Sequence, residues 1–445
     1  MRGCHAVGLS HCGTLQIATP YKMRQPYGAT FLHTRALFLP AKSIRHLKIN
    51  NMQENNQQKS TIHPFPPLDL LEKIDNEQPC VSTEEIERNK KWITEVLKHF
   101  EIPVKEIAVQ CGLAYSSYNI TLAPPARPTE IFELEDDFEL LLRYLGRNRI
   151  TIPLPWKIAF GIEIVNKNPQ TLSLRSLIDT EAFQNSEAAL PIALGVTIDG
   201  KPVIADLCKM PQLLIGGACM QGKTTLLHNI ILSLLYKKCP SELKFVIMDP
   251  SRYAFSIYKK LTNSYLSELP NLESDIITET KKMGNALNHL SEEMDHRYGL
   301  LRNTHSRNIQ EYHTNVSDDK QLPYLVVVIN LFDELTRAEN GDAASTIHLL
   351  AQIGRAVGIH LIISTQVHDY SVITGWLKAN FPSRIAFRVS TRIDSRTLLD
   401  QSGAESLYGK GDMLFSHGGE LLRLQGALVQ PEEIERVVNF IENTY

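Results

Sequence analysis

The chain of 445 residues has seven cysteines, at 4, 12, 80, 111, 208, 219 and 239, and no two of them stand in a C-x-x-C pair. An odd number without that spacing excludes a disulfide framework and a cysteine zinc site, and it fits a reducing, cytoplasmic setting. Long hydrophobic runs are also missing: YLVVVI, at 324–329, is among the longest and falls far short of the roughly 20 residues that a membrane helix needs. Net charge is small, formally −3, which excludes a wholly basic nucleic-acid binder but leaves room for a local basic channel. The histidines, His296, His305 and His360 among them, have no metal-ligand spacing.

Acidic residues are absent from positions 1–53, which carry seven Lys or Arg. Two readings stand side by side: a transit-type presequence, acid-poor but not amphipathic, or a disordered leader with Met52 as an alternative start. Residues 1–81 as a whole read as leader and linker, ending in the polar QENNQQKS and the Pro-containing HPFPPLDL. At Ser82 the pattern changes. Ser82 and Glu85 have capping-box spacing, and Ile86, Ile93, Val96, Leu97 and Phe100 then share one helical face. With IAVQC, the acidic ELEDDFELLLRYLG, RITIPL and AFGIEIV, residues 82–185 read as a small α/β domain.

Residues 186–445 alternate short apolar strands (QLLIGG, KFVIMD, YLVVVIN, IHLIIST, RIAFRVS, DMLFS) with amphipathic segments, the pattern of a largely parallel sheet covered on both faces. Directly after QLLIG comes GACMQGKTT and then TLLHNIILSLL, so a phosphate-binding loop sits between strand and helix as it must. Gly217, Ala218, Cys219, Met220, Gln221, Gly222, Lys223, Thr224 and Thr225 form this expected ATP site. Its N–H groups cradle phosphates, Lys223 neutralises the terminal ones, and the Thr224 hydroxyl ligates Mg2+.

The residues around this loop, including FVIMDPSRYAFSIY, EEMDHRYGLLRNTHSRNIQEYH, LAQIGRAVGIHLIISTQ and RIDSRTLLDQSGAESLYGKGDML, resemble the motor portion of the FtsK/SpoIIIE family of DNA translocases from about residue 83 onward. The resemblance implies a RecA-like P-loop NTPase core preceded by the smaller domain, a hexameric ring around double-stranded DNA, and ATP-driven movement. Three family motifs differ, at five positions. Met220 stands where the family has Gly, Asn330 and Leu331 replace its Asp and Glu, and T-Q-R-P becomes Thr365, Gln366, Val367 and His368. Arg355 resembles the family's trans-acting finger.

An acid at 330 would hold magnesium through its water shell and one at 331 would activate the attacking water; Leu331 does neither, so slow turnover is expected unless Asp333 takes over. Along an extended strand Asp333 would lie about 10 Å away, and only a sharp turn after Asn330 brings it back. Expected catalytic positions are therefore Asn330, Asp333, Gln366 and Arg355. Lys378, Arg384 and Arg388 are DNA-contact candidates, with the alternative that such arginines pair with carboxylates at a subunit interface. The functional expectation is a DNA translocase working as a homo-hexamer or as a mixed ring with an intact paralogue. The alternative is an ATP-binding, hydrolysis-impaired DNA-binding ring.

Overall fold

The computed structural model describes residues 65–74, 80–124, 134–151, 159–268, 276–338, 342–366, 373 and 375–445. The expected leader up to residue 64, together with Val367 and His368, lies outside them.

A first layer is built from the helix Thr83–His99 on a four-stranded antiparallel sheet of β1 (Val104–Cys111), β2 (Tyr115–Leu122), β3 (Asn148–Thr151) and β4 (Ala159–Val165), in the order β1-β2-β4-β3. Ser82 Oγ accepts the Glu85 N–H as the capping box predicts. The reciprocal half is not made, because the buried Glu85 carboxylate instead accepts the N–H of Lys167. Ile93, Val96 and Leu97 pack with Tyr118, Ile120 and Phe160 into a core of their own.

The larger layer is a nine-stranded sheet. Its strands are β5 (Pro191–Val196), β6 (Pro202–Asp206), β7 (Gln212–Gly216), β8 (Leu243–Met248), β9 (Tyr324–Ile329), β10 (Ile359–Thr365), β11 (Ser383–Phe387), β12 (Asp412–His417) and β13 (Glu420–Gln425), ordered β6-β5-β13-β12-β11-β7-β10-β9-β8. The five strands from β11 to β8 pair in parallel, and the other four extend them antiparallel. In β7, β9 and β10 every residue is buried, because helices cover both faces.

Part of the expected linker is a docked element. Leu68–Leu70 form a 3-10 turn, Leu71 is buried in the main core, Asp69 pairs with Arg175, and Glu72 pairs with Arg436. An apolar residue sealed this way anchors its flanks against the C-terminal helix Pro431–Thr444. Leu172 and the helices Leu174–Ile178 and Glu181–Gln184 also pack into this larger core, ahead of residue 186.

Candidate active site

The phosphate loop leaves the C-terminal end of β7, the position where parallel sheets bind ligands. Gly217 and Gly222 are glycines for a geometric reason. Their φ angles are +150° and +122°, and a Cβ on either would stand 2.7 Å or 2.9 Å from Phe387. Outside contacts pin the loop: Ala218 N–H donates to the Arg388 carbonyl (2.9 Å), and Gly411 N–H donates to the Gln221 carbonyl (3.2 Å). The helix Lys223–Leu235 starts at once, its first N–H groups turned toward the loop.

Lys223 is buried, and its Nζ donates to the carbonyls of Gly217 (2.7 Å) and Ala218 (2.8 Å). Burial pulls its pKa below the ordinary lysine value, while Cys219 and Asp333 pull it back up. Met220, Gly222, Lys223, Thr224 and Thr225 line a cavity of about 470 Å³. The Met220 side chain is 98 % exposed and Cys219 is exposed, so both act as spacers in the loop.

After Asn330 the chain does turn sharply. Leu331 adopts φ +51°, and the helix Phe332–Ala338 begins at the next residue. This turn folds Asp333 back beside the end of β10, buried to 5 % exposure, where its Oδ1 accepts from Thr365 Oγ1 (3.4 Å) and Gln366 N–H (3.3 Å). Its influence on Lys223 places the carboxylate within electrostatic reach of the phosphate loop. The extended-strand separation of about 10 Å therefore does not apply.

Asn330 points elsewhere. Its Nδ2 donates to Oδ1 of the fully buried Asp249 (3.0 Å), whose carboxylate also accepts from Ser251 N and Oγ. Asp249 was not among the predicted site residues. The available signal was an acid ending an apolar strand, KFVIMD, at the same edge of the sheet as the loop.

Arg355 lies at the opposite end of β10 from Gln366, exposed on the 3-10 turn Gly354–Val357. Seven strand residues separate them, roughly 20 Å, so Arg355 stands far from its own phosphate loop. Lys378 Nζ and Arg384 Nη1 both bind the Asp400 carboxylate, and Arg384 donates further to the carbonyls of Phe381, Leu398 and Lys378. The carboxylate pairing weighed for a subunit interface is thus made inside the chain. Hydrogen bonds from these two cations hold the Asp400 carboxyl below its ordinary range against the upward push of burial. Arg388 is half-buried next to Arg147, with its carbonyl on the phosphate loop.

Residues 65–166 match the model of the FtsK alpha domain and residues 173–369 that of the FtsK/SpoIIIE family. The DNA translocase FtsK of Chlorobaculum tepidum is 39 % identical over 381 residues, covering 85 % of this chain and 47 % of that protein. That of Haemophilus influenzae is 35 % identical over 414 residues, covering 87 % of this chain and 77 % of that protein. The chain spans about half the length of several of the curated relatives it matches.

In fold it is similar to the pCW3 conjugation coupling protein TcpA, solved with ATPgS (TM-score 0.54, 22 % identity, 80 % of this chain and 99 % of that one). It is also similar to the type VII secretion ATPase EccC of Thermomonospora curvata (TM-score 0.52, 23 % identity, 61 % of this chain and 34 % of that one). With its matched domains in the family's order and most of one relative's length covered at 35 % identity, the chain belongs to the FtsK/SpoIIIE family.

Proposed function

We propose that this chain is the motor of an ATP-dependent double-stranded DNA translocase, assembled as a homo-hexamer or as a mixed ring with a paralogue, in which Asp333 has taken over the work of the missing acids. The observation that carries the reading is the turn at Leu331, which brings Asp333 back to the end of β10, where its charge acts on Lys223. Family membership and the relatives' name, DNA translocase FtsK, support the substrate class.

In this reading the loop N–H groups and Lys223 bind the β- and γ-phosphates of ATP. Among the described residues no group of three or more His, Cys, Asp or Glu could hold a metal unaided. The Thr224 hydroxyl together with phosphate oxygens and water is a donor set that suits Mg2+, which would neutralise the developing phosphate charge. Asp333, oriented by the Gln366 N–H, accepts the proton of the attacking water. Arg355, facing away from its own loop, serves the nucleotide of a neighbouring subunit. Lys378 and Arg384 with Asp400 leave one net positive charge, so we assign that edge a single DNA phosphate contact.

Phosphate release by the purified chain with Mg2+, ATP and long linear duplex DNA tests this. Slow, DNA-stimulated turnover is expected, falling by about 10² to 10⁴ in Asp333→Asn. Nucleotide binding with no turnover at all would instead establish the hydrolysis-impaired ring, the reading favoured by the commitment of Asn330 to Asp249.

A further inference from the structure

The segment from Leu407 to Asp412 is gripped by the phosphate loop and by the smaller layer at once. On one side Gly411 N–H donates to the carbonyl of Gln221 in the phosphate loop (3.2 Å), and Tyr408, Lys410 and Gly411 line the cavity beside it. On the other side two ties lead to the smaller layer. Arg147, which immediately precedes β3, donates from Nη1 to the Leu407 carbonyl (3.0 Å). Asp412 accepts from Arg423 through both carboxylate oxygens (2.9 and 2.6 Å), and Arg423 in turn pairs with Glu163 of β4 and covers the Tyr115 ring of β2.

Between these grips the backbone holds an uncommon shape. Gly409, Lys410 and Gly411 have φ angles of +95°, +51° and +91°, the longest run of positive φ among the described residues. Lys410 carries a Cβ, so it occupies this region only because its surroundings impose it. Its carbonyl accepts from Gln425 Nε2 (3.0 Å), and the Asp412 N–H closes onto the Gly409 carbonyl (3.1 Å). Strain of this kind persists where neighbours over-determine the backbone, and it gathers at switch regions.

We infer that Leu407–Asp412 is a strained coupler, through which an occupied phosphate loop tightens the smaller layer and the smaller layer in return raises nucleotide affinity. The inference rests on the proposed nucleotide reading of the phosphate loop. A ligand that fixes the Gln221 carbonyl favours the one turn conformation that can meet it, and that conformation sets where Leu407 and Asp412 present their bonds to Arg147 and Arg423. Coupling between two sites is reciprocal, so either end of the segment biases the other.

Hydrogen-deuterium exchange of the full chain, with and without Mg2+ and ADP, tests this in the parent, in Arg147→Ala and in Lys410→Gly. Arg147 is exposed and is not part of the cavity wall, so its loss cuts one tie without touching the nucleotide, and glycine at 410 lets the turn relax. In the parent, amides of β3 and β4 are expected to exchange about fivefold or more slowly when nucleotide is bound. That slowing should shrink in each variant at saturating ADP. Unchanged exchange of β3 and β4 in the parent overturns the inference, and so does a slowing that either variant retains in full. Protection of the helix Lys223–Leu235 in the same samples reports nucleotide binding; if the parent lacks it, the phosphate-loop reading itself fails.

Discussion

Met220 and Leu331 are side chains placed where the backbone favours glycine, with φ angles of +57° and +51°. A non-glycine residue in this region costs about 1–3 kcal/mol, and at Met220 no packing offsets it because the side chain is almost wholly exposed. Met220→Gly should therefore raise stability by up to about 1 kcal/mol once the added chain entropy of glycine is subtracted, read as a shift in the urea midpoint. Asn330 predicts the opposite sign. Replacing it by Asp puts a second carboxylate 3.0 Å from Asp249 in a buried site. Like charges so placed raise one pKa strongly, and the lost amide donor adds about 1–3 kcal/mol of destabilisation. Thermal unfolding of Asn330→Asp should show this loss, with Mg2+ and nucleotide restoring part of it; an unchanged midpoint would mean that the hydrogen bond from Asn330 to Asp249 contributes nothing to stability.

At the scale of elements, β10 joins the two ends of the proposed chemistry, with Arg355 before it and Gln366 after it. His360, within the strand, is 1 % exposed, with Nδ1 3.3 Å from the Pro211 carbonyl and Nε2 3.6 Å from Cys208 Sγ. Burial pushes its pKa down from 6.5 to about 4, against the smaller upward pull of the Pro211 carbonyl and Asp206. The unfolded chain then binds more protons between those values. The stabilisation is complete above about pH 6.5 and is lost as the pH falls toward 4, up to roughly 3 kcal/mol. His228, on the helix after the phosphate loop, shifts the same way to about 4. Unfolding free energies at pH 7 and pH 4.5 should differ less in His360→Gln than in the parent.

For the whole molecule, the junction between the layers rests on Arg423, which lies in β13 and is 6 % exposed at its side chain. It binds Asp412 on β12, pairs with Glu163 on β4 of the smaller sheet, and stacks 3.7 Å over the Tyr115 ring of β2. Burial opposes its charge, but Asp412 and Glu163 keep its pKa above the ordinary arginine value. Removing one partner of a buried pair strands the other charge, so Arg423→Ala should cost about 3–5 kcal/mol in denaturant unfolding. Arg423→Met, which keeps apolar volume but strands the same carboxylates, should remain destabilised. Gly411 and Gln425 adjoin this junction and line the cavity beside the phosphate loop, so the same contacts that join the sheets shape its wall.

The sequence by itself determined what is contiguous: the phosphate loop, because strand, glycines, lysine and helix follow one another along the chain, and the apolar strands of the parallel sheet, because each is buried on both faces. It missed β5, β6 and β13 of the larger sheet and β2 of the smaller one. β6 is half-buried throughout and β13 alternates exposed with half-buried residues before its last two, so neither stands out as an apolar run, and β5 is apolar but contains Pro191 and Gly195, which weaken a strand signal. Only the tertiary structure decided the rest. Asp333 reaches the end of β10 through one left-handed residue, Asp400 binds two cations 22 and 16 positions away, and Asn229 meets the carbonyl of Ala427, 198 positions on. Contacts of that kind depend on how the chain folds back on itself, and neither periodicity nor local spacing encodes that.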